Sequence, residues 1–81
     1  MGYHKRKIEK GVYGHFSKIK EEMDELLDAH EQGNPIMELI EISDLIGAIE
    51  AYTLGNYNIT VHDILVMKNA TQSAFESGDR K

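Results

Sequence analysis

The stretch MELIEISDLIGAIEAY, residues 37–52, decides the fold. Its Leu39, Ile40, Ile42, Leu45, Ile46 and Ile49 recur at helical rather than alternating spacing, and they nearly encircle a helix axis. A helix that is apolar on most sides is covered on most sides. Yet Glu38, Glu41, Asp44 and Glu50 are set among these residues. A buried carboxylate with no partner costs several kcal/mol or takes up a proton instead. The acids therefore demand a counter-charge, and the rest of the chain must say where it comes from.

Breaks on either side define the elements. In QGNPIM (32–37), Gly33 suits the position just past a helix, Asn34 an N-cap and Pro35 a first turn. In LGNYNIT (54–60), Gly55 is the next terminator, and Thr60 with Asp63 resembles a capping box. Helix one is expected from about residue 15, or earlier, to 32, with Phe16, Ile19, Met23, Leu26 and Leu27 as its apolar stripe. Ile8 and Val12 join that stripe if the helix starts early, and His15 then packs on it. Helix two is expected over 35–54 and helix three over 61–77, with Val61, Ile64, Leu65 and Phe75 on one side. No segment alternates like a half-buried strand. The fold class is all-α: an antiparallel helix hairpin plus a shorter third helix.

The 81 residues make a single domain, with a basic arm at 1–11 and a tail at 78–81. Such a chain buries only about 60–65% of its unfolded surface, and it has no cysteine for a disulfide or a thiolate metal site. Three helices cannot cover helix two. A homodimer or homotetramer that builds a four-helix-type core is the economical expectation. No apolar run approaches the roughly 18 residues of a membrane span, and the arm is not followed by the apolar segment of a secretory signal. A soluble, cytoplasmic protein with no membrane partner is expected.

The net charge of −5 hides an asymmetry. Residues 1–20 carry Lys5, Arg6, Lys7, Lys10, Lys18 and Lys20 against Glu9 alone; residues 21–67 carry eleven acids and no Lys or Arg. The counter-charge must come from the arm, from Lys68, Arg80 or Lys81, from another subunit or from a metal ion. The acidic middle argues against a nucleic-acid partner.

Two acid pairs stand at helical spacing: Glu22 and Glu25 on helix one, Glu41 and Asp44 on helix two. The apolar neighbours of the second pair aim it at an interior or cleft, whereas Asp24, Asp28 and Glu31 read as solvated and Glu38 and Glu50 as bystanders. An antiparallel hairpin can bring both pairs together, and four carboxylates in one place need a cation. Oxygen ligands alone select a hard ion, Mg²⁺ or Mn²⁺ rather than zinc. Mg²⁺ commonly bridges carboxylates to phosphates, which leads to phosphate-ester or phosphoanhydride chemistry. No Gly-rich phosphate loop and no Ser-His or Cys-His arrangement offers an alternative.

The pattern Glu21-Glu22-x-x-Glu25, fifteen residues, Glu41-x-x-Asp44 resembles the EExxE…ExxD signature of the all-α nucleoside triphosphate pyrophosphohydrolases, the MazG-like family. The resemblance covers about residues 12–54, and the tail MKNATQSAFESGDR is similar to that of small phage-type members. It implies Mg²⁺ ligation by Glu22, Glu25, Glu41 and Asp44, with Glu21 as a supporting or water-orienting acid of the catalytic set. It also implies hydrolysis of a (deoxy)nucleoside triphosphate to monophosphate and pyrophosphate, in a dimer or dimer of dimers. Lys68, Asn69 and Arg80 are the substrate-binding candidates. The competing expectations are a nucleotide-binding protein that sequesters without cleaving, and a helical oligomer whose acids are satisfied by the basic arm.

Overall fold

A computed structural model of the protein describes residues 4–78 and holds three helices and, among those residues, no strand: α1 (Phe16–Glu31), α2 (Pro35–Tyr57) and α3 (Val61–Glu76). Local chemistry explains most of the boundaries. Gly33 takes φ 67°, and the amides of Gly33 and Asn34 donate back to His30 O and Ala29 O, which closes α1 in a Schellman-type end. Asn34 then caps α2 by accepting from Met37 N at 3.0 Å, with Pro35 beginning the helix. Thr60 and Asp63 form a reciprocal capping box at α3, both bonds 3.0 Å.

Two boundaries differ from expectation. His15 is the N-cap residue of α1, so the helix does not start early, and His15 is exposed rather than packed on a stripe. α2 runs through Gly55 to Tyr57. Asn58 supplies the left-handed turn there (φ 55°, ψ 40°), and Asn is the residue after Gly that tolerates it best. The turn into α3 is closed by Thr53 Oγ1 donating to Ile59 O at 2.8 Å, and Glu50 Oε2 accepts from Val61 N at 3.4 Å. Glu50 thus helps seat the start of α3.

α1 and α2 form the antiparallel hairpin. Phe16 meets Tyr52 edge-on with ring centroids 5.7 Å apart, while His30 Nδ1 lies 3.1 Å from Glu38 Oε1 at the other end. α3 packs against α2 and not α1. Residues 4–15 fold back along α1: Lys5 and Arg6 amides donate to Asp28 and the Gly11 amide to Glu21. Gly11 is required by that approach. A Cβ there would overlap the Ser17 carbonyl and the Lys18 amide nitrogen.

The burial pattern inverts the usual order. The buried apolar residues are Ala29, Met37 and Ala48, whereas Glu21, Glu22, Asp28 and Glu41 are buried acids. Phe16 is 63% exposed and Leu39 67%, and Met23, Leu27, Ile42 and Ile46 are also open to solvent. In the single chain, α2 is therefore not covered on most sides, because neither α1 nor α3 reaches its outer face. The apolar stripe of α1 lies about half a turn from the face that bears Glu21, Glu25 and Asp28, and the arm covers the acidic face. Among the described residues no helix is long and apolar enough to cross a membrane.

Candidate metal centre

The hairpin brings the two acid pairs together. Ligand-capable oxygens of Glu22, Glu41 and Asp44 lie within 4.8 Å of one another, and so do those of Glu21, Glu22 and Glu25. Glu22 belongs to both groups and joins the helices. Glu41 is fully buried and Glu22 is 6% exposed. Of the pair expected to face an interior or cleft rather than open solvent, Glu41 is buried but Asp44 is exposed, so the cluster opens to solvent on the Asp44 side.

Glu22 is strongly perturbed. Its burial, then the neighbouring Glu25 carboxyl, push it up to about 8; Asp44 adds to the effect and Lys18 opposes it. Its Oε1 is buried with no hydrogen-bond partner among the described residues. A buried acceptor in that position costs free energy unless a proton or a cation reaches it.

Two other α1 acids, Glu21 and Asp28, are already satisfied. Burial alone would raise Glu21, but the Gly11 amide at 2.7 Å and Lys18 Nζ at 3.2 Å, with Lys10 further off, hold it below the usual carboxylate range. Glu21 therefore ties the arm to α1 beside the cluster. Burial of Asp28 is likewise outweighed, by His4, Gln32 and the Lys5 and Arg6 amides, which hold it down at about 2. Asp28 is not solvated as its helical context suggests; the arm covers it.

His4 is the residue that periodicity missed. Its side chain is 6% exposed, with Nδ1 2.8 Å from Asp28 Oδ2 and Nε2 2.9 Å from Glu41 Oε2 and 3.9 Å from Glu25 Oε1. The spacing among His4, His30 and His62 gave no hint of this, since the partners of His4 lie 24 and 37 residues away. The available signal was the missing counter-charge of the acidic middle, which the basic arm can supply.

Of the substrate-binding candidates, Lys68 and Asn69 sit on the exposed side of α3, bonded to each other at 3.1 Å. Arg80 lies outside the described residues. The cations beside the acids are instead those of the arm and the first turn of α1. A cleft of about 170 Å³ next to Glu21 and Glu25 is lined by His4, Arg6, Ile8 and Lys10, and Lys18 stands on Glu21. Comparison with protein-family models, curated proteins and solved structures finds no match.

Proposed function

We propose that the protein is a Mg²⁺-dependent nucleoside triphosphate pyrophosphohydrolase that converts a (deoxy)nucleoside triphosphate and water to the monophosphate and pyrophosphate. The observation that carries this reading is Glu22: a buried carboxyl with one unpartnered oxygen, at the junction of two acid pairs from two helices. The acids at that junction are the ones on whose sequence spacing the resemblance to the MazG-like family rests. The all-oxygen set of Glu22, Glu25, Glu41 and Asp44 fits Mg²⁺ or Mn²⁺ and would hold it. When bound, such an ion supplies charge stabilisation at phosphorus and a more acidic water.

The chain's own groups do the rest. A cation held there would displace the proton that burial and Glu25 favour on Glu22. Glu21 keeps Gly11 and Lys18 in place. Lys10 and Lys18, near the cluster, are better placed for phosphate oxygens than Lys68. The arm satisfies Glu21 and Asp28, which favours in part the reading of a purely structural oligomer, but it supplies no donor to Glu22 Oε1.

The apolar faces support self-association. Met23, Leu27 and Ile42 line a groove of about 280 Å³ between α1 and α2 together with Leu26, and Leu39 and Ile46 continue the same face of α2. Fully burying each such side chain contributes about 1.5–3 kcal/mol. A second copy laid on this face completes a four-helix core, as a dimer or a dimer of dimers.

The test is to incubate the protein with each NTP and dNTP, with and without Mg²⁺, and to measure pyrophosphate. Turnover that needs Mg²⁺ and disappears in Glu41→Gln supports the reading. Absence of turnover with every nucleotide overturns it; calorimetric binding with the nucleotide recovered intact would then identify a sequestering protein.

A further inference from the structure

We propose that His4 Nε2, Glu25 and Glu41 form a mixed nitrogen–oxygen site for a divalent late first-row transition-metal ion, for which Co²⁺ is the probe, with Asp28 positioning the imidazole. This goes beyond the hydrolase reading, since it needs no nucleotide and adds a ligand that the four-acid pattern does not contain.

The geometry carries it. One atom from each of His4, Glu25 and Glu41 lies within 4.8 Å of the others. His4 Nε2 is 2.9 Å from Glu41 and 3.9 Å from Glu25. Ligands about 2.1 Å from a common ion stand about 3.4 Å apart when tetrahedral, so these separations straddle one coordination sphere. On the far side of the ring, Asp28 Oδ2 lies 2.8 Å from Nδ1. A carboxylate that accepts a hydrogen bond from Nδ1–H fixes the tautomer that leaves the Nε2 lone pair to ligate, and fixes the ring's orientation, which is the usual support of a metal-bound histidine. Asp28 is itself fixed by Gln32 Nε2 at 2.7 Å and by the Lys5 and Arg6 amides. Glu22 stands beside the site rather than in it: it is 6% exposed, groups with Glu25 on one side and Glu41 on the other, and its Oε1 has no hydrogen-bond partner among the described residues, so two of the three ligands border an acid that a cation would also relieve.

Nitrogen changes the choice of ion. Carboxylates alone suit Mg²⁺, whereas an imidazole raises affinity for the first-row transition ions and does little for Mg²⁺. Because Glu25 and Glu41 serve both sets, a transition ion on His4 and Mg²⁺ on the four acids compete for the same carboxylates.

The probe is Co²⁺ alone, titrated calorimetrically and by visible absorption into the full chain without nucleotide, against Mg²⁺ in parallel. The parent is expected to bind Co²⁺ more than about tenfold tighter than Mg²⁺. His4→Gln should lose that preference with little change in Mg²⁺ binding, and Asp28→Asn should weaken Co²⁺ by about 10–100-fold with an altered absorption spectrum. In the parent with ¹⁵N-labelled histidine, Co²⁺ should perturb the His4 ring before those of His15, His30 and His62. This last measurement decides the matter even where a variant fails to fold. Co²⁺ binding unchanged in a folded His4→Gln, no Co²⁺ binding by the parent, or an unperturbed His4 ring overturns the proposal, whatever the outcome with nucleotides.

Discussion

Replacing Glu22 by Gln should stabilise the metal-free protein at alkaline pH while disabling the site. The Glu22 carboxyl is raised from an ordinary value near 4.5 to about 8 in the folded chain. Between those values the folded state binds more protons than the unfolded state, so unfolding free energy falls as pH rises. The loss starts near pH 4.5 and is complete above about 8. One proton sets a ceiling of about 1.4 kcal/mol per pH unit. Glu25 and Asp44 share the site and Asp44 is open to water, whose screening reduces the effect, so about 1–2 kcal/mol over the interval is the expected size. Gln removes the charge but keeps the shape. Urea unfolding in chelator, at one fixed protein concentration, should show Glu22→Gln gaining on the parent from pH 5.5 to 8.5. Saturating Mg²⁺ should reverse the order, because it binds the ionised carboxylates of the parent. A variant that is less stable than the parent at pH 8.5 in chelator would refute the reasoning. It would mean that the Glu22 carboxylate is satisfied within the chain.

Other consequences follow from single contacts. Gly11→Ala should destabilise the protein by about 1–3 kcal/mol in urea unfolding, because its Cβ overlaps backbone that cannot yield. Asp28 is held down at about 2, so its contribution is present above about pH 4 and lost as pH falls toward 2; Asp28→Asn should flatten the acid limb of the stability profile and raise amide exchange at Lys5 and Arg6. Ile46→Glu, on the open face of α2, should shift the parent from a dimer or larger to a monomer in sedimentation, whereas an unchanged mass would remove that face from the interface. Thr60→Ala should cost about 0.5–2 kcal/mol through loss of the α3 cap, read by thermal melting.

Local signals were legible where a residue acts on its own backbone. Gly33, Asn34, Pro35, Thr60 and Asp63 each perform the boundary role their side chains suggest. Gly55 did not, because a glycine inside a helix costs only about 1 kcal/mol and Asn58 offered a left-handed turn three residues later. The two acid pairs were legible because i, i+3 spacing fixes a common face, and the hairpin brings them into two groups of acids that share Glu22. The covering of α1 was not legible. Helical periodicity marks the Phe16–Met23–Leu27 stripe as the inner face, but an arm with no periodicity covers the opposite side through contacts of long sequence separation. His4 and Asp28 were missed for that reason, and Asp44 is exposed because nothing among the described residues covers its end of the cluster.

The central claim is that Glu22, Glu25, Glu41 and Asp44 act as one cation site for a triphosphate. Calorimetric titration of Mg²⁺ into the parent and into Glu41→Gln, each with a non-hydrolysable nucleoside triphosphate, tests it most directly. Saturable Mg²⁺ binding by the parent that vanishes in a folded Glu41→Gln is the predicted result. Equal binding by both proteins, or none by the parent, would contradict it.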